Sequence, residues 1–232
     1  MSPFIDFHSH ILPGADHGSS GIHTSLKQLS IVQKAGVDTI VATPHFYPHA
    51  VNVERFLRLV HSTAEELMAN REEASPRICL GAEVLYCDRI EAMEGLERLC
   101  IRGTRVLLLE LPMEDHWNDG LFYSVKKLAK EYTVVLAHID RYVRRHGEDL
   151  EELLRLGAYA QINAHSLASM GCRHKLAPFL TGDRVVALGS DLHGADEKGY
   201  QRFIDAKKRL GDLHRQIMER SAVLLEGAEY LN

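Results

Sequence analysis

Short apolar runs alternate with longer stretches whose apolar residues recur at helical spacing. The runs predict strands at Pro3–Phe7, Thr39–Thr43, Ile78–Ala82, Val106–Leu111, Thr133–Ala137, Ala158–Ile162 and Val185–Leu188. Between them, "SLKQLSIVQKAG" sets Leu26, Leu29, Ile31 and Val32 on one side of a predicted helix that stops at Gly36. The stretches "VERFLRLVHSTAEELMAN", "LFYSVKKLAKEY", "DLEELLRLG" and "YQRFIDAKKRLG" repeat the helical pattern. Runs such as "VVLA" and "VVALG" are apolar without alternation, as in strands buried on both faces of a parallel sheet. Strand then helix, seven times, predicts a parallel α/β architecture, either a closed barrel or an open doubly wound sheet.

Polar residues fall at the ends of these runs. His8 and His10 follow the first strand, and "DFHSHILPGADHG" adds Asp16 and His17 around a Pro-Gly turn. His45 follows the second strand in "VATPH", and Glu83 the third in "LGAE". Glu110 lies near the end of the fourth in "LLLEL", and His138 follows the fifth in "VVLAH". Asp191 and His193 follow the seventh in "LGSDLH". A His-x-His pair is weak in itself, since about one is expected by chance in a chain with 14 His in 232 residues. Taken singly, each residue has a plainer explanation: a histidine satisfying backbone groups, a glutamate paired with arginine, an aspartate capping a helix. Jointly they point elsewhere. In an α/β barrel the carboxyl ends of the strands meet on one face, so residues scattered along the chain converge there. An open sheet would spread them along a line, so convergence favours the barrel.

Imidazole and carboxylate without thiolate suit Zn, Mn or Fe and exclude a zinc-finger-like structural site. The candidates exceed what one ion needs. That implies two or three divalent ions with a bridging carboxylate, a device for phosphoester hydrolysis. The remaining histidines are expected elsewhere. His61, His146 and His214 sit in charged helical stretches and are expected in solvent. His23, His49, His116, His165 and His174 lie in loops or near helix starts.

Composition narrows the classes. The chain is 45% hydrophobic and 25% charged, with net charge −5. That suits a single domain over residues 1–232 and disfavours nucleic acid as a partner. No apolar run is long enough to span a membrane, and "MSPFIDF" does not read as a secretory signal, so a cytoplasmic protein is expected. The four cysteines, Cys79, Cys87, Cys100 and Cys172, are expected to be reduced, buried small hydrophobes. Cysteine-based phosphatase chemistry needs Cys-x5-Arg. Leu85, Met93, Val106 and Pro178 stand at the arginine positions, so that mechanism is excluded. No Gly-rich loop ends in Lys-Ser/Thr, which excludes a P-loop.

The segments "DFHSHILPGADHG", "VATPH", "GAEV", "LLLELP", "VVLAHIDRY", "QINAHSL" and "GSDLHG" resemble the PHP (polymerase and histidinol phosphatase) superfamily. They are most similar to its bacterial tyrosine-protein phosphatases encoded with capsule and exopolysaccharide genes. The resemblance runs from residue 4 to about residue 196. It implies a distorted (β/α)7 barrel with three metals at its C-terminal face. His8, His10, Glu83 and Asp191 would hold one metal, Glu83, Glu110 and His138 a second, and His17, His45 and His193 the third. Arg141, in "HIDRY", would bind the substrate phosphate. Where a general acid is needed, Asp16 or a metal-bound water could serve. The substrate would be a phosphotyrosine protein, a cognate bacterial tyrosine kinase. Two departures stand out: His17 replaces the usual aspartate of Asp-Asp-Gly, and Lys198 stands where an arginine phosphate ligand is expected. Tyr47 and Trp117 either form an aromatic lip for phosphotyrosine or pack their own loops. A histidinol-phosphate phosphatase and a non-catalytic metal-binding regulator are the rival readings.

Overall fold

The computed structural model describes residues 3–231, so the ends of the expected 1–232 domain lie outside the described residues. The chain opens with β1 (Ile5–Ser9) and α1 (Ile22–Lys34), then β2 (Thr39–Ala42), β3 (His45–Phe46) and α2 (Val53–Asn70). Next come β4 (Arg77–Leu80), β5 (Glu83–Leu85), β6 (Val106–Glu110), α3 (Asp119–Leu128), β7 (Thr133–Leu136) and α4 (Gly147–Arg155). It closes with β8 (Tyr159–Asn163), α5 (Met170–Leu180), β9 (Val185–Gly189), α6 (Glu197–Leu210) and α7 (Asp212–Leu224). Every strand pairing between these elements is parallel, giving the α/β fold that the unalternating apolar runs predict.

Two predicted strands end early, and each is followed by a short strand beyond its expected bounds. Thr39–Thr43 stops at Ala42, and after Thr43-Pro44 the chain resumes as β3; Ile78–Ala82 stops at Leu80 and resumes as β5. Pro44 has no N–H for a ladder. The pairing still steps across the break, because Gly81 N–H donates to Ala42 O at 2.9 Å and Glu83 N–H to Pro44 O at 3.1 Å. The sheets therefore run β1-β2-β4 and β3-β5-β6-β7-β8-β9. Beyond the last rungs, β1 and β9 lie side by side. Asp191 N–H donates to His8 O at 2.9 Å, and His10 bridges His193 in parallel register.

The helices follow from capping and burial stripes. Asn52 caps α2 by accepting from Arg55 N–H, and Phe56, Val60, Thr63, Ala64 and Leu67 make its buried stripe. On α1 the buried stripe is Ser25, Gln28, Leu29 and Val32; Ile31 falls off it and is only half-buried. Gly36 ends that helix at φ +76°, as its expected role requires. The strand–helix alternation fails once. Between β5 and β6 stand only 3-10 turns at Ile90–Ala92 and Leu96–Leu99, set by left-handed Arg89 and Gly95. Two further helices carry weak patterns: α5 holds Pro178 and buries only Leu176 and Phe179, and the stripe of α7 includes His214 and Ser221. Buried apolar residues from Phe4 to Leu225 form one cluster beneath the strand ends. After α7 the chain lays Tyr230 antiparallel beside Cys79 on the free edge of β4, with Leu231 N–H donating to Ile78 O.

Candidate metal centre

The carboxyl ends of β1, β2, β4, β6, β7 and β9 bring eight of the predicted ligands together, His45 and Glu83 being the first residues of the short strands β3 and β5 that follow β2 and β4. His8, His10, Glu83, His138 and Asp191 are buried, while His45, Glu110 and His193 are half-buried. Three sets of ligand atoms lie mutually within 4.8 Å: His8–His10–Asp191, His45–Glu83–Glu110 and His10–His45–His193. His138 joins through Nε2, 2.6 Å from Glu83 Oε1. The backbone is strained where it delivers two of these groups, with φ +32° at His138 and +51° at Asp191, at a cost of about 1–3 kcal/mol each.

The loop after β1 folds back onto it. A Cβ on Gly18 would stand 2.2 Å from His10 Cβ, so only glycine fits, and Ser19 N–H donates to His10 O at 3.1 Å. This places Asp16 beside His10. Its carboxylate accepts from His10 Nδ1 at 2.7 Å, from Gly18 N–H at 2.8 Å and from His45 N–H at 3.0 Å. Burial opposes the charge, yet the hydrogen bond and charge of His10 hold Asp16 well below the usual carboxylate range. In this arrangement Asp16 orients His10.

The imidazoles are turned the same way. His10 gives Nδ1–H to Asp16, His8 gives Nδ1–H to Gln161 Oε1 at 3.2 Å, and His193 gives Nδ1–H to Asp191 O at 3.1 Å. Each keeps an Nε2 lone pair for the centre. Nε2 of His8 and of His10 are 3.2 Å apart, and those of His45 and His193 are 3.4 Å apart. Facing lone pairs repel, and a cation between them converts the repulsion into ligation. The edge of a tetrahedron with metal–nitrogen bonds of 2.0–2.1 Å is about 3.3 Å, so the residues fit a divalent ion. Three buried atoms point to the same requirement, because Glu83 Oε2, Asp191 Oδ1 and His45 Nδ1 make no hydrogen bond of good geometry, although His45 Nδ1 and Glu83 Oε2 lie 2.9 Å apart. The carboxylates divide in character. Burial raises both, but the surrounding imidazoles, led by His8, pull Glu83 down, whereas burial and the Glu83 charge push Glu110 up.

Arg141 stands at the mouth of the cluster, bonded through Nη2 to Asp191 Oδ2 and with Nη1 3.9 Å from Glu110 Oε1. Its side chain is 39% exposed, and Nη1 also lies 3.3 Å from His138 Nε2. Tyr47 lies over His45, with ring centroids 5.1 Å apart and planes 16° apart.

Other expected residues fall differently. His17 is exposed and belongs to none of the three sets, although its ring stacks 4.7 Å from that of His45 and 4.6 Å from that of His193. His10 takes the place beside them. Lys198 is exposed in the first turn of α6, and its ammonium makes no hydrogen bond or ion pair among the described residues. Trp117 packs its own loop, donating Nε1–H to Pro112 O and stacking 4.0 Å from His146. His61 is in solvent, but His146, just before α4, and His214, on α7, are buried, against expectation, because both rings turn inward. His23, His49, His116, His165 and His174 are all exposed. Cys79 and Cys100 are buried and Cys87 and Cys172 only half-buried; all four are free thiols. Sequence reasoning missed Gln161 and Asn163, which stand fully buried under the cluster. The only signal was two amides at the end of an otherwise apolar strand.

The profile of the capsular polysaccharide synthesis family CpsB/CapC matches residues 4–217. The chain belongs to this family. Curated relatives include the tyrosine-protein phosphatase CpsB of Streptococcus pneumoniae, 29% identical over an alignment of 211 positions that covers 84% of each chain. The tyrosine-protein phosphatase YwqE of Bacillus subtilis is 29% identical over 174 residues, 72% of this chain and 66% of that one. Among solved structures, one described as YwqE and CpsB, "unique metal-dependent tyrosine phosphatases", superposes with TM-score 0.80 at 22% identity, covering 98% and 96% of the two chains. Histidinol phosphate phosphatase of Lactococcus lactis, solved with Zn, L-histidinol and phosphate, gives TM-score 0.55 at 15% identity over 90% and 94%. These likenesses establish the fold. Among the described residues, no helix is long and apolar enough to cross a membrane.

Proposed function

We propose that this CpsB/CapC-family chain is a single-domain, metal-dependent tyrosine-protein phosphatase whose active centre is the cluster at the carboxyl ends of the strands. The observation that carries this reading is the set of buried, unpartnered ligand atoms on Glu83, Asp191 and His45 beside the half-open Arg141. The seven strand positions close as a distorted (β/α)7 barrel, in which β2 with β3, and β4 with β5, each count once. Two or three Mn, Fe or Zn ions would be held by His8, His10, Glu83 and Asp191, by Glu83, Glu110 and His138, and by His45 and His193 with His17 beside them, since the one Nε2 lone pair of His10 serves a single ion. Closely spaced divalent ions supply hydroxide at neutral pH and hold phosphoryl oxygens.

The chain's own residues do the rest. Arg141 takes the phosphate while Asp191 and Glu110 hold its guanidinium in place. Asp16 keeps His10 in the tautomer that presents Nε2. Burial and the charges of Glu110 and Glu83 push the Tyr47 hydroxyl up to about 12, so this residue keeps its proton and offers a ring face to an aromatic ester. The substrate is a phosphotyrosine protein, a cognate tyrosine kinase of capsule synthesis, met in the cytoplasm.

A hydrolysis panel of phosphotyrosine peptide, phosphoserine peptide and histidinol phosphate, run with Mn²⁺ and with Zn²⁺, tests the reading. Phosphotyrosine peptide should give the highest kcat/KM. A higher value for histidinol phosphate would replace the protein phosphatase by a small-molecule enzyme.

A further inference from the structure

β8 supplies no residue to the three ligand sets, yet it ends in two fully buried amides. We infer that Gln161 and Asn163 form a directional hydrogen-bond relay that fixes the His8 tautomer and the Asp191 carboxylate, making β8 a positioning strand for the metal centre. The inference rests on the metal-centre part of the proposed function.

The sense of the relay is set by one backbone group. His138 N–H can only donate, and it meets a Gln161 side-chain atom at 2.6 Å, so that atom is the oxygen Oε1. The same oxygen faces His8 Nδ1 at 3.2 Å, and as an acceptor it requires a proton there. His8 therefore turns an unprotonated Nε2 toward Glu83, His10 and Asp191. The other end of the amide must donate, and Gln161 Nε2–H reaches Asn163 Oδ1 at 3.0 Å. Asn163 then donates Nδ2–H to Asp191 Oδ2 at 2.7 Å. That oxygen also takes the Arg141 guanidinium, while Oδ1, without a partner, stays turned to His10 Nε2 at 3.3 Å. One peptide N–H on β7's exit thus sets the hydrogen-bonding sense of ligands arriving on β1 and β9.

The neighbours enforce the geometry. A Cβ at Gly189 would lie 2.5 Å from His8 Cβ and 2.7 Å from Gln161 Nε2, so the glycine keeps the space through which the relay passes. Asn163 N–H donates to Asp140 Oδ1 at 2.8 Å, and Asp140 holds Ser166 through its other oxygen. The 3-10 turn Ile139–Arg141 carrying the phosphate-binding arginine is thereby tied to β8.

Partners of this kind contribute about 10- to 100-fold in metal affinity. The test is titration of Zn²⁺ and of Mn²⁺ into metal-stripped full-length protein, read as affinity and stoichiometry. Gln161→Met keeps the volume and removes every polar contact; Asn163→Ala leaves Gln161 in place and releases only Asp191. Each should weaken the tightest site at least tenfold, and the double variant should lose less than the product of the two. Gln161→Glu restores the acceptor for His8 and His138 and should recover part of the affinity lost in Gln161→Met. A purely structural role would lower Tm and leave affinity per folded molecule unchanged, and that result overturns the inference. Should a variant fail to fold, ¹⁵N NMR of histidine side chains in the unaltered Zn²⁺-loaded protein decides. His8 should carry its proton on Nδ1, and a proton on Nε2 contradicts the relay. Both readouts are independent of substrate, so they stand whichever ester the enzyme prefers.

Discussion

Histidine is buried in two regions of this molecule, and the two treat it differently. On the flank, His146 spends both nitrogens, on Asp149 Oδ2 at 3.0 Å and Glu114 O at 2.9 Å, with its ring against Trp117. His214 packs edge-on to Phe4 and leaves Nε2 unpartnered in apolar surroundings. At the strand ends, by contrast, imidazoles face one another and carboxylates, with acceptors outnumbering donors at the centre. Burial is common to both regions. What separates a ligand from a packed side chain is where its second nitrogen points and what holds the first.

The comparison can be broken experimentally, most severely at Glu83, whose oxygens meet His8, His10, His45 and His138. Glu83→Ala should lower phosphotyrosine turnover by on the order of a thousandfold or more and lower bound metal by at least one ion. Full metal content in a folded, inactive variant would remove the bridging role. Arg141→Ala should keep its metal while losing about a hundred- to a thousandfold in turnover, as expected for a donor at the transferring group. Arg141→Lys should recover only part, because a point charge replaces a fork. Normal turnover in Arg141→Ala would reassign the phosphate contact.

Asp16→Asn should cost about 10- to 100-fold in metal affinity through His10, without moving activity to a different pH limb as the loss of a proton donor would. On the flank the effect is smaller and confined to stability. Burial, with Lys207 nearby, lowers His214 to about 4. The unfolded chain, with an ordinary imidazole near 6.5, therefore takes the proton first. The contribution is complete above about pH 6.5 and is lost as pH falls toward 4. His214→Leu should shrink the fall in Tm between pH 7 and pH 4.5 by a few degrees and leave metal binding untouched. An unchanged acid slope would remove His214 from that account.

The same contrast explains what could be read in the chain. Strands and their ligand-bearing ends were legible because one apolar run after another is followed at once by His, Asp or Glu, and eight such residues meet. The splitting of β2 from β3 and of β4 from β5 was not, since it depends on how Pro44 and Gly81 meet across the ladder. α5 escaped notice because Pro178 and a stripe of two residues hide its period. His146 and His214 looked solvated because their charged neighbours point outward while the rings point in. Gln161 and Asn163 passed unmarked because an amide carries no charge signature, and only the closing of three strands around them gives each its direction.

The central claim is that the cluster at the strand ends works through divalent ions, and metal removal tests it most directly. The protein is stripped with chelator, its metal content is measured, and hydrolysis of a phosphotyrosine peptide is followed before and after adding Mn²⁺, Fe²⁺ or Zn²⁺, with a thiol-alkylated sample alongside. Activity should vanish with the metal, return in proportion to ions rebound, and survive alkylation of Cys79, Cys87, Cys100 and Cys172. Full activity in protein verified to be free of metal would contradict the account.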